Sequence, residues 1–205
     1  MTIPRLHVVT DDEVLGRPDF PEMAAAVVDA GGEEVALHVR GPHTAGRTVY
    51  TMVTALREAA SAAGALLVVN DRIDVALATG LGAVHLGARS LAPAEARRLL
   101  GDDVLIGRSI HDEEAAVAAR ADWLFFGHVF ATPSHPGTPG RGPEALARAV
   151  GAAAGVPVVA IGGVDPSRVS EVTAKGAYGV AALRGVWDAS DPAGAVRDYI
   201  SALGG

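Results

Sequence analysis

The chain has 205 residues, no cysteine, and a net charge of −7 from 24 acidic and 17 basic side chains. The missing cysteines remove disulfides, thiolate nucleophiles and cysteine-held metals together and suit a reducing, cytoplasmic setting. Acidity without a Lys/Arg cluster argues against nucleic acid, and the longest uncharged stretches, Trp123–Gly140 and Ala149–Val164, are broken by Gly or Pro and fall short of the ~20 apolar residues of a membrane span.

The N-terminal segment MTIPRLHVVTDD reaches a charged pair before any long apolar run, so no secretory signal is expected. With 49% hydrophobic but only 4% aromatic residues, the core must be built from Ala, Val, Leu and Ile. The length suits one domain over residues 1–205.

Short β-type runs alternate with Ala-rich helical runs. Strands are predicted at Arg5–Thr10, Glu34–Arg40, Ala65–Asn70, Ala83–Gly87, Val104–Ser109, Trp123–Val129, Pro157–Gly163 and Tyr178–Arg184. Helices are predicted at Phe20–Ala30, Thr44–Ala63, Asp71–Thr79, Ala92–Leu100, Asp112–Arg120, Pro143–Ala153, Pro166–Lys175 and from about Asp191 to Leu203. Thr44, Asp112 and Asp165 stand where capping residues belong, the last ahead of a proline suited to the first helical position. Alternation implies right-handed βαβ units and a parallel sheet, and eight such units imply a closed (β/α)8 TIM barrel. An open doubly wound sheet is the alternative, but its Gly-rich first turn is missing here, where the sequence reads VTDDEVLG.

In a barrel of this kind the chemistry sits where strands end. Those ends carry Thr10 and Asp11, His38 and Arg40, Asn70 and Asp71, His85, Ser109 and His111, His128, Gly162 and Gly163, and Arg184. The loops after strands seven and eight are the habitual phosphate site. Gly162 and Gly163, followed by a helix start, can turn backbone N–H groups toward an anion, Gly185 permits close approach, and Arg184 offers a charge-assisted fork. A phosphorylated small ligand is expected. His7, inside its strand, reads as packing; His43 and His135 lie in loops; His85 reads equally well as packing or as lining.

VVNDRIDVALATGLGAVHLG, IGRSIHDEEAA, WLFFGHVFATPSHPGTPGRG and VPVVAIGGVDPSRV together resemble the thiamine phosphate synthase superfamily, and the similarity runs along nearly the whole chain. The resemblance implies one of two activities: a synthase that joins a pyrimidine diphosphate to a thiazole phosphate, or a TenI-type thiazole tautomerase that aromatises the thiazole phosphate. The synthase pattern has basic residues and a metal held by two Asp carboxylates. Here Asp71 matches the first carboxylate and Ser90 occupies the second position. His38 and Pro42 stand at the Gln and Lys positions of Q-L-R-E-K, and His135 at the Lys of T-P-T-K-P-G. Conversely Gly127-His128-Val129-Phe130 resembles the tautomerase G-H-V-F, as do Ile106–His111 and Gly140–Gly142.

The resemblance therefore implies an isomerase without cofactor or metal, in which His128 takes a proton from the dihydrothiazole ring and returns it to the side-chain carbon. It further implies Gly162, Gly163, Arg184 and Gly185 at the phosphate, and Arg40, Asn70, Ser109 and His38 around the substrate. A homodimer is the expected assembly. The synthase and a non-catalytic thiazole-phosphate-binding regulator remain as alternatives, since fold alone decides neither.

Overall fold

The structure is a computed structural model that describes residues 2–134 and 136–204. Eight strands form a closed barrel in sequence order, each parallel to the next: β1 (Leu6–Val9), β2 (Val35–Val39), β3 (Leu66–Asn70), β4 (Ala83–Leu86), β5 (Leu105–Ile110), β6 (Trp123–Gly127), β7 (Val158–Ile161) and β8 (Gly179–Ala182). The predicted TIM barrel is the observed fold. Around it run the helices α1 (Asp12–Leu15), α2 (Phe20–Gly31), α3 (Gly46–Ala63), α4 (Ile73–Thr79), α5 (Pro93–Leu100), α6 (Glu113–Ala118), α7 (Pro143–Ala152), α8 (Val169–Thr173), α9 (Arg184–Trp187) and α10 (Pro192–Gly204). No described helix is long and apolar enough to cross a membrane.

Two apolar layers follow from the two-residue period of the strands. Outward residues such as Leu6, Val8, Leu37, Val84, Ile106, Leu124 and Val180 are buried against helix residues including Val27, Val53, Leu146 and Val196. Inward residues make a second cluster of Val9, Ala36, Val68, Ala83, Trp123, Phe125, Val159 and Ala181. Small and large alternate there so that the two big rings fill the interior. Gly107 completes the fit: a Cβ on it would lie 2.2 Å from Trp123 Cε2 and 2.5 Å from His85 Nδ1.

The seam between first and last strands is fastened repeatedly. Leu6, His7 and Val8 lie opposite Val180, Ala181 and Ala182. Arg5 donates from Nε to the Tyr178 carbonyl (3.0 Å) and from Nη1 to the Leu203 carbonyl (2.6 Å), and the Tyr178 hydroxyl donates to the Ile3 carbonyl (2.5 Å).

Several boundaries differ from the sequence prediction for identifiable reasons. Thr44 does not cap α3, because its hydroxyl donates instead to Asp12 Oδ1 (2.6 Å) and the helix begins at Gly46. Asp71 is likewise outside α4, held at φ +62° with its carboxylate turned to the loop after β4. Asp112 and Asp165 do cap, accepting from the N–H groups of Ala115 (2.8 Å) and Ser167 (2.9 Å). The predicted helix at Pro166–Lys175 is a 3-10 turn over Pro166–Arg168 followed by α8. The short helices α1 and α9 carry too little periodicity to be read from sequence.

Candidate active site

Below the mouth of the barrel three histidines fill the interior. His7 on β1, His38 on β2 and His85 on β4 are 0%, 0% and 1% exposed. His7 Nδ1 lies 2.8 Å from His38 Nε2, His38 Nδ1 lies 2.9 Å from Asn70 Oδ1, and His85 Nε2 lies 2.9 Å from Ser109 Oγ. Phe125 packs against all three rings, with centroids 5.0, 5.2 and 4.1 Å away. Burial pushes His38 down to about 4 and His7 and His85 well below the usual imidazole range, with His38 a second cause for both. The cluster is therefore neutral at physiological pH. His7, expected to pack, does so against His38, Trp123 and Phe125; its bond to His38 was foreshadowed only by its place two residues before inward Val9, on the same face of β1.

The predicted residues are distributed around the mouth. Asn70 (8% exposed) and the half-buried Ser109 are the residues that bond to His38 and His85. Arg40 follows β2, half-buried, and its guanidinium makes no hydrogen bond or ion pair with protein among the described residues. The charges of Arg40 and Arg108 both act to lower the His85 pKa further, after burial and the neighbouring imidazoles. Arg108 is tied to the loop after β4, donating to the carbonyls of Leu91 (2.9 Å), Ala88 (3.0 Å) and Ser90 (3.4 Å).

His128 is half-buried and opens the loop after β6, behind a cis Gly127–His128 peptide. The strand ends at Gly127, two residues before the predicted end. His128 Nε2 is 3.2 Å from the Pro139 carbonyl, and the Gly127 carbonyl accepts from Arg141 Nε and lies at the same 3.1 Å from His111 Nδ1. Pro139 also lines an open hollow of about 520 Å³, with Ala131, Thr132, Pro133, Gly137 and Thr138. His135 lies outside the described residues.

Gly162 and Gly163 follow β7 at φ +95° and +68°, conformations that suit glycine. A Cβ on Gly162 would stand 2.2 Å from His128 Cβ, so this turn and the loop after β6 interlock. The 3-10 turn that follows is capped by the carboxylate of Asp165, so any anion there would rest on the glycine backbone rather than on a long helix end. Arg184, the first residue of α9, is held by three carboxylates, Glu13 (3.3 Å), Asp188 (3.4 Å) and Asp11 (3.5 Å). Gly185 beside it is packed so closely that a Cβ would meet the Tyr199 hydroxyl at 2.3 Å.

The metal implied for the synthase can be tested on Asp71. Its Oδ1 accepts from the Gly87 N–H (2.7 Å) and from the Ser90 hydroxyl. The second carboxylate position holds a hydroxyl that donates to one oxygen of the first, and the described residues hold no group of three or more His, Asp or Glu able to bind a metal ion. The residues do not fit a two-carboxylate metal.

The family model described as thiamine monophosphate synthase, TMP-TENI, matches residues 6–186. The chain belongs to that family. A thiamine-phosphate synthase of Methanoculleus marisnigri is 42% identical over 204 residues, covering 96% of this chain and 95% of its own. One from Salinispora arenicola is 37% identical and covers 97% of each. The solved structure of a thiamine phosphate pyrophosphorylase from Pyrococcus furiosus superposes with a TM-score of 0.83 at 28% identity, over 98% of this chain and 95% of that one.

These relatives overturn the expected isomerase. Proteins 34–42% identical over nearly the whole chain are named as synthases, which are transferases, whereas the tautomerase reading leaned on a few short motifs, chiefly the tetrapeptide around His128.

Proposed function

We propose that this TMP-TENI protein is a transferase that joins a pyrimidine diphosphate to a thiazole phosphate. In that reaction the bond between the pyrimidine methylene carbon and the diphosphate oxygen breaks, the thiazole nitrogen bonds to the carbon, and pyrophosphate leaves. The observation that carries this reading is the near full-length similarity to proteins named thiamine-phosphate synthase. The mouth is compatible with it. Catalysis of such a displacement depends on donors held where negative charge develops on the leaving group. Arg40 and Asn70 would supply them, with Ser109 orienting the pyrimidine ring. Gly162 and Gly163 would receive the thiazole phosphate, and His128, packed against Gly162, would line the thiazole side.

Purified protein given both substrates should release pyrophosphate and form the joined phosphate ester. Arg40→Ala should lower kcat/KM for the diphosphate at least tenfold, the scale of one charge-assisted hydrogen bond. No pyrophosphate release by the folded wild type, with and without magnesium, would reject the reading.

A further inference from the structure

The Asn70 side chain has two faces with opposite chemistry, an oxygen that only accepts and an NH2 that only donates. Which one looks out of the barrel is decided from below. Asn70 Oδ1 faces His38 Nδ1 at 2.9 Å, so that nitrogen carries a proton. A neutral imidazole has one N–H, so His38 Nε2 must accept, and its neighbour at 2.8 Å, His7 Nδ1, must donate. His7 Nε2 is left as a bare lone pair, fully buried and without a hydrogen-bond partner. The three side chains form one directional chain. In the alternative setting every donor and acceptor is exchanged, and Asn70 would present its oxygen to the ligand. Packing fixes the rings, so the two settings differ only in the protons and in the turn of the Asn70 amide. His7 and His38 lie 5.1 Å apart and both contact Phe125 and Trp123.

We propose that His7 and His38 are positioning residues that lock the Asn70 amide with its oxygen inward and its N–H donors facing the mouth, so that Asn70 binds an anionic oxygen of the ligand. The identity of that anion as a diphosphate rests on the reading above; the orientation of the amide does not. A hydrogen bond from a fixed amide to a charged oxygen contributes more than one from an amide that must first be ordered. Neither histidine touches the ligand, and both act through Asn70.

Long-range 1H–15N correlation spectra of the uniformly labelled chain at pH 7.5 should show Nδ1–H tautomers for both His7 and His38. An Nε2–H tautomer at His38 overturns the proposal. Binding of inorganic pyrophosphate, read by calorimetry, supplies the second test. Asn70→Ala and His38→Leu should each weaken it about tenfold, and the double variant should be no worse than Asn70→Ala alone. Additive losses would mean that His38 does not act through Asn70, and would overturn the positioning role. Wild-type protein that ignores pyrophosphate would reject the anion as Asn70's ligand and count against the diphosphate reading, while the tautomers decide the orientation separately. The spectra need no variant, so a substitution that fails to fold leaves the proposal decidable.

Discussion

At Asp71 two neighbours decide what a carboxylate can do. With the Ser90 hydroxyl and the Gly87 N–H donating to one oxygen, it fastens the loop after β4 and is poorly placed to share a cation. Ser90→Asp should reverse this, since two adjacent carboxylates repel until a cation intervenes and Mg²⁺ or Mn²⁺ needs only one or two carboxylates with water or phosphate. Mn²⁺ affinity, followed by electron paramagnetic resonance, should rise at least tenfold over wild type; an unchanged affinity would show that the loop holds position 90 away from Asp71. Residue types at this site were legible from the sequence: Asn70, Asp71, Ser109 and His128 all emerged as strand-end residues. Their bonding was not, because each partner comes from another loop. Arg184 illustrates the gap, since the carboxylates of Asp11 and Glu13 that hold it lie about 170 residues away.

Strands β5 and β6 fit because one side chain is absent. Trp123 occupies the space above Gly107, and His85 Nδ1 closes it from the other side. Gly107→Ala would force a rigid indole aside, an overpacking that costs about 1–3 kcal/mol, or roughly 2–12 °C in Tm for a chain of this size. Differential scanning fluorimetry would show it, and an unchanged Tm would mean that the interior is looser than the packing indicates. The alternation of strands and helices was readable because periods of two and 3.6 differ plainly over elements of this length. The end of β6 was not. Val129 and Phe130 continue its apolar run, and their N–H groups still bond to the carbonyls of Ile161 and Gly162 past the end of β6. Backbone bonds that continue past a strand's end look like one uninterrupted strand when only residue types are visible.

For the whole molecule the three interior histidines set the response to acid. Each is held neutral with its folded pKa below the unfolded value of about 6.5, so the unfolded chain binds more protons and stability falls as pH drops below about 6.5. Each contributes up to about 1.4 kcal/mol per pH unit, and for His38 the loss runs down to about 4. The carboxylates act in a lower window. Arg72 beside Asp74, Ser167 beside Asp165 and Arg17 beside Asp188 hold these acids below their usual values, so their contribution is lost only as pH falls through and below about 4. Urea midpoints should therefore decline between pH 7 and 5, and the decline should be shallower in His85→Gln. A flat profile over that range would mean that the cluster takes up protons without unfolding.

The fastened seam between β1 and β8 has a consequence in time. A strand near residue 6 cannot complete its ladder until residues around 180 exist and have reached it. Contacts of such sequence separation slow the search for the native state, so during synthesis β1 waits with one edge exposed while seven strands are laid down beside it. Closure of the ring, with Arg5 reaching Leu203, then waits until that residue too has been made and has emerged. Aggregation during expression should be governed by how long that edge stays open, and a permuted chain that makes β8 and β1 neighbours in sequence would shorten the wait.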